Sequence, residues 1–366
     1  MHIPDGYLSP STCATLYVLS ASGWYGSLKR IKRVFASRTI PLISVFAAFS
    51  FVVMMLNVPL PGGTTGHAVG VGVAAIVLGP WGAILAISIT LAIQALFFGD
   101  GGITTLGANC FNMAIVGSFV AYGVYRWIAG KSELISRRRI VAAALAGYVS
   151  INAAALVAAI EFGIQPLLFH DANGTPLYAP YSLHVAIPAM MIGHLTIAGI
   201  AEAVISAGMV SYLQTADLGV LRGIKSVGPG SVQIVSGAPG ESSKAEPSQR
   251  RLWWTVALLM LCTPVGILAA GSAWGEWSSA DLKNPHKRAQ IGVVSGNQAP
   301  PSSVPAGLQK LATLWTAPFP GYAPRFVRSQ AFGYLLSAMF GVGFFVVTSL
   351  ITSVVGSKWK RPERQL

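Results

Sequence analysis

The stretch HAVGVGVAAIVLGPWGAILAISITLAIQALFF, residues 67–98, decides the fold. It carries no charged side chain. A helix that crosses a bilayer needs about 20 mostly apolar residues, so this run is long for one crossing and short for two. Near its middle stands Gly79-Pro80-Trp81-Gly82. Glycine permits positive φ, and proline lacks an N–H and clashes with the preceding turn, so the pair interrupts a helix. Two short helices, 67–79 and 81–98, are one reading. A single kinked helix is the other, and it would invert every segment downstream.

Charge decides between them. The other apolar segments are 9–27, 39–60, 104–128, 139–163, 183–213, 252–272 and 330–355, with edges free to move by several residues. Basic residues collect in cytoplasmic loops. With the amino terminus outside and the 67–98 run crossing twice, residues 28–38, the 79–82 turn, 129–138, 214–251 and the tail lie inside. All but six of the 25 lysines and arginines then fall on or next to those inner segments, the exceptions being Lys283, Lys287, Arg288, Lys310, Arg325 and Arg328. A single crossing destroys this bias. The expected fold is therefore all-α: a polytopic integral membrane bundle of the inner membrane, with an extracytoplasmic amino terminus and a cytoplasmic carboxyl terminus.

Composition agrees. The chain has 366 residues, 53% hydrophobic and 10% charged, and a mean hydropathy of +0.60; soluble domains carry about 25% charged residues. The net charge of +13 is accounted for by inner loops, so no nucleic-acid partner is expected. Cys13, Cys110 and Cys262 lie far apart and form neither a zinc spacing nor a disulfide framework. Residues 1–215 read as a seven-span domain. Residues 216–250, rich in Gly, Ser and Pro over 226–249, read as a flexible cytoplasmic linker. Residues 251–366 read as a two-span domain with a polar outer segment, 273–329.

The chain opens Met1-His2-Ile3-Pro4-Asp5-Gly6. An α-amine, the His2 amide nitrogen and the His2 imidazole can close a five- and a six-membered ring on one ion. His2 is too bulky for removal of Met1, and the first apolar segment has its basic cluster after it rather than before it, so no cleaved leader is expected. Pro61-Gly62-Gly63-Thr64-Thr65-Gly66-His67 shares the outer face, and His67 could add a fourth nitrogen or merely cap a helix beginning there. Four nitrogens in a plane suit nickel(II) or copper(II), and cobalt(II) is less demanding.

Three separated motifs carry a resemblance: the opening hexapeptide, the Gly-Gly-Thr-Thr-Gly-His stretch ending at His67, and Gly107-Ala-Asn109-Cys-Phe-Asn112-Met-Ala114. Over roughly 1–215 the chain resembles the substrate-capture component of the cobalt/nickel energy-coupling-factor transporters. Residues 251–355, with Ala273-Trp274-Gly275-Glu276-Trp277, resemble the two-span accessory domain that accompanies such components. The resemblance implies that Met1, His2 and His67 hold Ni²⁺ or Co²⁺ as transported substrate rather than cofactor. It also implies an ATPase subunit and a membrane coupling subunit as partners, and a link to cobalamin biosynthesis. Thr64, Thr65, Asp5, Asn109 and Asn112 are the expected supporting residues. Asn109 and Asn112 are three apart on one helix face, where they can orient the loop and imidazole or bond neighbouring helices. Asp5 can orient His2 or cap a turn.

Ionisable residues inside a bilayer are costly and usually functional. Glu161, His194 and Glu202 read as an ion path or as interhelical hydrogen-bonding groups; His170 and His184 flank an outer loop. No phosphate-loop motif occurs, so ATP hydrolysis is not expected of this chain. No His-Glu-x-x-His spacing occurs, which disfavours a membrane metal hydrolase, and no catalytic residues are assigned. An ATP-independent channel or facilitator is the remaining alternative.

Overall fold

The computed structural model describes residues 1–32, 39–60, 63–216, 218–222, 246–269, 271–324 and 326–359. In chain order these form α1 (Pro10–Lys32), α2 (Thr39–Met55), a ribbon of β1 (Val58–Leu60) and β2 (Thr64–Gly66), α3 (Val71–Ile93), α4 (Leu106–Asn109), α5 (Gly117–Ala129), α6 (Arg137–Leu168), α7 (Leu183–Gly193), α8 (Gly199–Ala216) and α9 (Leu218–Arg222). There follow α10 (Glu246–Cys262), α11 (Ser279–Lys283), α12 (Pro285–Val294), α13 (Ala306–Leu311) and α14 (Gln330–Trp359). Wider π-type turns extend α3 over Gln94–Phe98, join α4 to α5 over Cys110–Val116 and join α7 to α8 over His194–Ala198.

Five of these helical segments are long and apolar enough to cross a membrane, among the described residues: Val71–Phe98, Leu106–Ala129, Arg137–Leu168, Leu183–Ala216 and Gln330–Ile351. The chain is a polytopic all-α membrane protein. Its packing is that of a lipid-facing bundle. Along α6, Val141, Leu145, Val149, Leu156 and Ile160 are exposed, whereas Ala142, Ala143, Ala146, Ala154, Ala155, Ala158 and Ala159 are buried. A soluble helix buries its large side chains. Here lipid solvates them, and the small residues let backbones approach closely.

The 67–98 run goes out and comes back. Gly79 has φ 71 and ψ 167, which no right-handed helix contains, and it breaks α3 just before Pro80. At one end of the run His67 meets His2, Nε2 to Nδ1 at 3.3 Å. At its other end Asp100 also meets His2, Oδ1 to Nδ1 at 3.0 Å. The middle lies far off along α1: the Trp24 indole donates to Ser88 at 2.9 Å, and the Arg30 guanidinium sits 3.9 Å from the Trp81 ring centroid.

The outgoing leg is short. It comprises two helical turns, Val71 to Leu78, preceded by irregular backbone over 67–70 rather than a helix starting at His67. Irregular backbone at this depth is tolerated only where protein satisfies its polar groups. Glu202, fully buried on α8, does so by accepting from the N–H groups of Val69, Gly70 and Gly72 at 2.7, 2.9 and 3.0 Å.

Three expected segments change shape. The 39–60 span stops at Met55, and beyond Asn57 the chain pairs Val58 with Gly66 and Leu60 with Thr64. The glycine-rich loop is therefore a hairpin, with Thr64 and Thr65 on its second strand. The 252–272 span is α10 followed by a 3₁₀ turn over Thr263–Leu268, where Pro264 and Gly266 end the α-helix. Of the linker expected over 216–250, residues 223–245 lie outside the described residues, while its two ends are helical, in α9 and in the first turn of α10.

Both α10 and α14 pack on α2. The segment between them lies over the end of the bundle where Met1 sits. Its contacts include a Trp315 indole bond to the Leu96 carbonyl, a bond from the Phe319 N–H to the Phe97 carbonyl, and a stack of Tyr322 on Phe98 at 4.8 Å.

Candidate metal centre

The first nine residues are docked as an irregular insert that turns at Asp5–Leu8. The Ile3 N–H donates to Asn109 Oδ1 at 2.8 Å, and the Ile3 carbonyl accepts from Asn109 Nδ2 at 3.1 Å and from the Gly102 N–H at 3.0 Å. Asp5 accepts from the N–H groups of Ile103 and Thr104 and from the Thr104 hydroxyl. At Gly6 the chain turns with φ +89, and a Cβ there would stand 2.6 Å from Leu308 Cα, so only glycine fits. The Tyr7 hydroxyl donates to the Trp277 carbonyl at 2.7 Å, and the Ser9 N–H donates to Gln165 Oε1 at 2.9 Å. The result is deep burial: Met1 is 4% exposed and His2 1%.

Nitrogen atoms converge at that depth. His67, 7% exposed, follows β2, and its Nδ1 lies 3.0 Å from the Ala68 carbonyl. An oxygen there accepts, so Nδ1 carries the proton and Nε2 presents its lone pair to His2. His2 Nδ1 stands 3.3 Å from that lone pair and 3.0 Å from the Asp100 carboxylate. Two acceptors therefore meet at one donor atom, and a cation could replace its proton. Two nitrogens bound to one ion at about 2 Å each, at right angles, lie about 3 Å apart. The α-amine of Met1 and the amide of His2 follow by covalent connection.

The electrostatics favour neutral ligands and fixed anions. Burial pushes the His67 imidazole down to about 3, with His2 and the terminal ammonium acting in the same direction. For Asp100 burial opposes ionisation, but the His2 partner and the Tyr322 hydroxyl outweigh it and hold the carboxyl well below the usual range. The Tyr322 hydroxyl donates to Asp100 Oδ2 at 2.6 Å and accepts from Gln94 Nε2 at 2.8 Å. The Met1 ammonium donates to Glu276 Oε1 at 2.9 Å. Among the described residues no three His, Cys, Asp or Glu side chains are arranged so that they alone could hold a metal ion. A chelate that uses main-chain nitrogens needs only two imidazoles.

Met1, His2, His67, Asp5 and Asn109 thus share one neighbourhood. Thr64 and Thr65 are buried on β2 and line an adjoining cavity with Met1. Asn112 goes elsewhere: its amide donates to Glu161 Oε2 on α6 at 2.7 Å. Its three-residue spacing from Asn109 is altered by the π-type turn beginning at Cys110. His170 is exposed, and its Nδ1 lies 3.1 Å from the Asp171 carbonyl. Sequence reasoning missed Asp100, Glu276 and Tyr322. Asp100 sits in the loop after the 67–98 run, which a double crossing leaves on the same face as the amino terminus, and Glu276 lies inside the Trp-Gly-Glu-Trp motif.

Residues 2–218 match the family described as CbiM, cobalt uptake substrate-specific transmembrane region. The chain belongs to this family. It is 50% identical over 346 residues to the fused nickel transport protein NikMN of Rhodobacter capsulatus, covering 94% of this chain and 95% of that relative. It is 41% identical over 292 residues to the probable fused nickel transport protein LarMN of Lactiplantibacillus plantarum, covering 77% and 80%. A crystal structure of a truncated transition metal transporter is 52% identical, with a TM-score of 0.55, and covers 58% of this chain and 98% of its own. Family membership thus extends across the docked amino terminus, the hairpin and the Asn109 turn, and the similarity to NikMN extends into the segment that carries Glu276.

Proposed function

We propose that this protein captures Ni²⁺ or Co²⁺ at its extracytoplasmic face and passes it inward as the substrate-binding component of an ATP-driven energy-coupling-factor transporter. The observation that carries the reading is the 3.3 Å approach of His67 Nε2 to His2 Nδ1 beside a buried amino terminus. The Met1 amine, the deprotonated His2 amide, His2 Nδ1 and His67 Nε2 supply four nitrogens. Such a set favours nickel(II) slightly over cobalt(II) and rejects Mg²⁺, Ca²⁺ and Mn²⁺, which prefer oxygen. Asp100 and Glu276 supply negative charge that offsets the ion, and Asn109 and Asp5 hold the chelating segment in register. Residues 1–215 capture the ion, and 251–366 form the accessory domain.

The relatives' names support the cargo: nickel transport for the fused relatives above, and cobalt transport for the CbiM protein of Lachnoclostridium phytofermentans, 31% identical over 238 residues. The distribution of basic residues supports an outer amino terminus and an inner carboxyl terminus. A separate ATPase and a coupling subunit drive the cycle.

The deciding experiment inserts one glycine before Met1. This displaces the amine from its chelate ring without touching a helix. Nickel binding to the purified full chain is expected to fall at least a hundredfold, as in His2→Ala, with normal membrane insertion. Unchanged affinity in both variants refutes the site. Uptake into vesicles with and without the ATPase partner separates a driven transporter from a facilitator.

A further inference from the structure

The chelating groups are buried, so an ion from solution needs a way in. A cavity of about 390 Å³ reaches Met1. One wall is α7 and its π-type extension, with His184, Met190 and His194; the other is α12, with Val293 and Val294, and Trp274 and Thr65 also line it. His184 is exposed, whereas His194 is 5% exposed. The two imidazoles therefore stand at a solvent end and a buried end of one cavity, and Met1 borders the same space.

The tautomer of His194 is set by its neighbour. Its Nδ1 lies 2.8 Å from the Met190 carbonyl, so Nδ1–H donates and Nε2 is the lone-pair nitrogen. A backbone carbonyl on the far ring nitrogen also orients an imidazole and raises its basicity, as it does for metal ligands in general. The sequence left His194 open between ion path and helix contact. Its hydrogen bond goes to its own helix, and its ring borders the cavity.

We infer that this cavity is the entry route of the ion, with His184 as the first imidazole it meets and His194 Nε2 as a transient ligand that passes it to the Met1 amine. The inference rests on the capture reading above. An aquated divalent ion must shed its waters before four nitrogens can surround it, and ligand-by-ligand exchange avoids a bare intermediate. An imidazole suits the same metals as the final site. A relay ligand of this kind lowers the barrier in both directions, so it changes rates and leaves the equilibrium affinity alone.

The test is nickel chloride added to the purified full chain, with loading followed by stopped flow and affinity by equilibrium titration. His194→Asn places an amide near the Nδ1 position, keeps a donor for the Met190 carbonyl and removes the ligand nitrogen. Loading and release are both expected to slow about tenfold, with Kd within twofold of wild type. Val293, 63% exposed at the cavity, provides an arm that does not disturb the bundle. Val293→Lys is expected to slow loading several-fold at low ionic strength and to recover with added salt, and Val293→Glu to accelerate it. Wild-type loading rates in both His194→Asn and Val293→Lys overturn the route. So does a tenfold weaker Kd in His194→Asn at an unchanged loading rate, because His194 would then belong to the resting site. Failure of the capture reading registers separately, as nickel affinity that survives His2→Ala.

Discussion

The α-amino nitrogen of Met1 lies 2.9 Å from Glu276 Oε1, a partner 275 residues further along the chain. The ammonium is buried and the carboxylate is partly exposed. Through this contact, and through Tyr322 on Asp100, the carboxyl-terminal part of the protein reaches the same few atoms that the amino terminus presents.

Removing that partner leaves a buried ammonium without its counter-ion. For fully buried pairs the loss is about 3–5 kcal/mol; with one member partly in solvent, Glu276→Ala should cost roughly 1–2 kcal/mol of stability in metal-free protein. Glu276→Gln, which keeps an acceptor oxygen, should cost less. Thermal unfolding of the two variants beside wild type checks the order, and equal midpoints for all three would dismiss the contact.

Asn109 and Asn112 should behave differently. Asn109→Ala unties the Ile3 backbone and is expected to weaken nickel binding about tenfold by freeing the chelating segment. Asn112→Ala removes the donor to Glu161 and should lower thermal stability while nickel affinity stays within a factor of about two, for a loss of about 1 kcal/mol. A binding titration and a melt on each variant suffice. Equal loss of affinity in both contradicts this division.

Binding should release protons and weaken in acid. The Met1 ammonium and the His2 amide must each give up a proton to coordinate. His67 does not contribute to that release near neutrality: burial holds its imidazole at about 3, so it is already neutral and starts to compete only as pH falls toward that value. Calorimetric titrations in buffers of different ionisation enthalpy count the released protons. Proton-neutral binding at pH 7 would rule out an amine–amide chelate.

Glu202 should prove structural. Its carboxylate accepts from three backbone N–H groups at the irregular start of α3. Glu202→Gln turns an amide toward those donors and is expected to cost on the order of 3 kcal/mol, seen as a lower melting point and loss of nickel affinity as His67 shifts. A variant that melts normally yet fails to transport would instead place Glu202 on an ion path.

The bundle was legible because its signals are local. Hydropathy marks spans wherever they occur, and the Gly79-Pro80 break together with the basic loops indicated that 67–98 must double back. The strand pairing of 58–60 with 64–66 escaped notice, since three residues a side carry too little alternation to stand out from an apolar run. Asn109 and Asn112 looked equivalent on an ideal helix; the π-type turn that separates their directions has no marker in the residues themselves.

Two neighbouring residues, Met1 and His2, carry in their covalent structure three of the four nitrogens proposed to hold the ion, and reading them required no fold. The groups packed around them and around His67 come from elsewhere: Asp100 from the loop after α3, Glu276 and Tyr322 from the segment over the bundle end, and Glu202 from α8. A carboxylate looks the same in sequence whether it faces water or an ammonium. Its role is fixed by which donors the packed helices bring within 3 Å and by the burial that strengthens their attraction, and both exist only once the chain is folded.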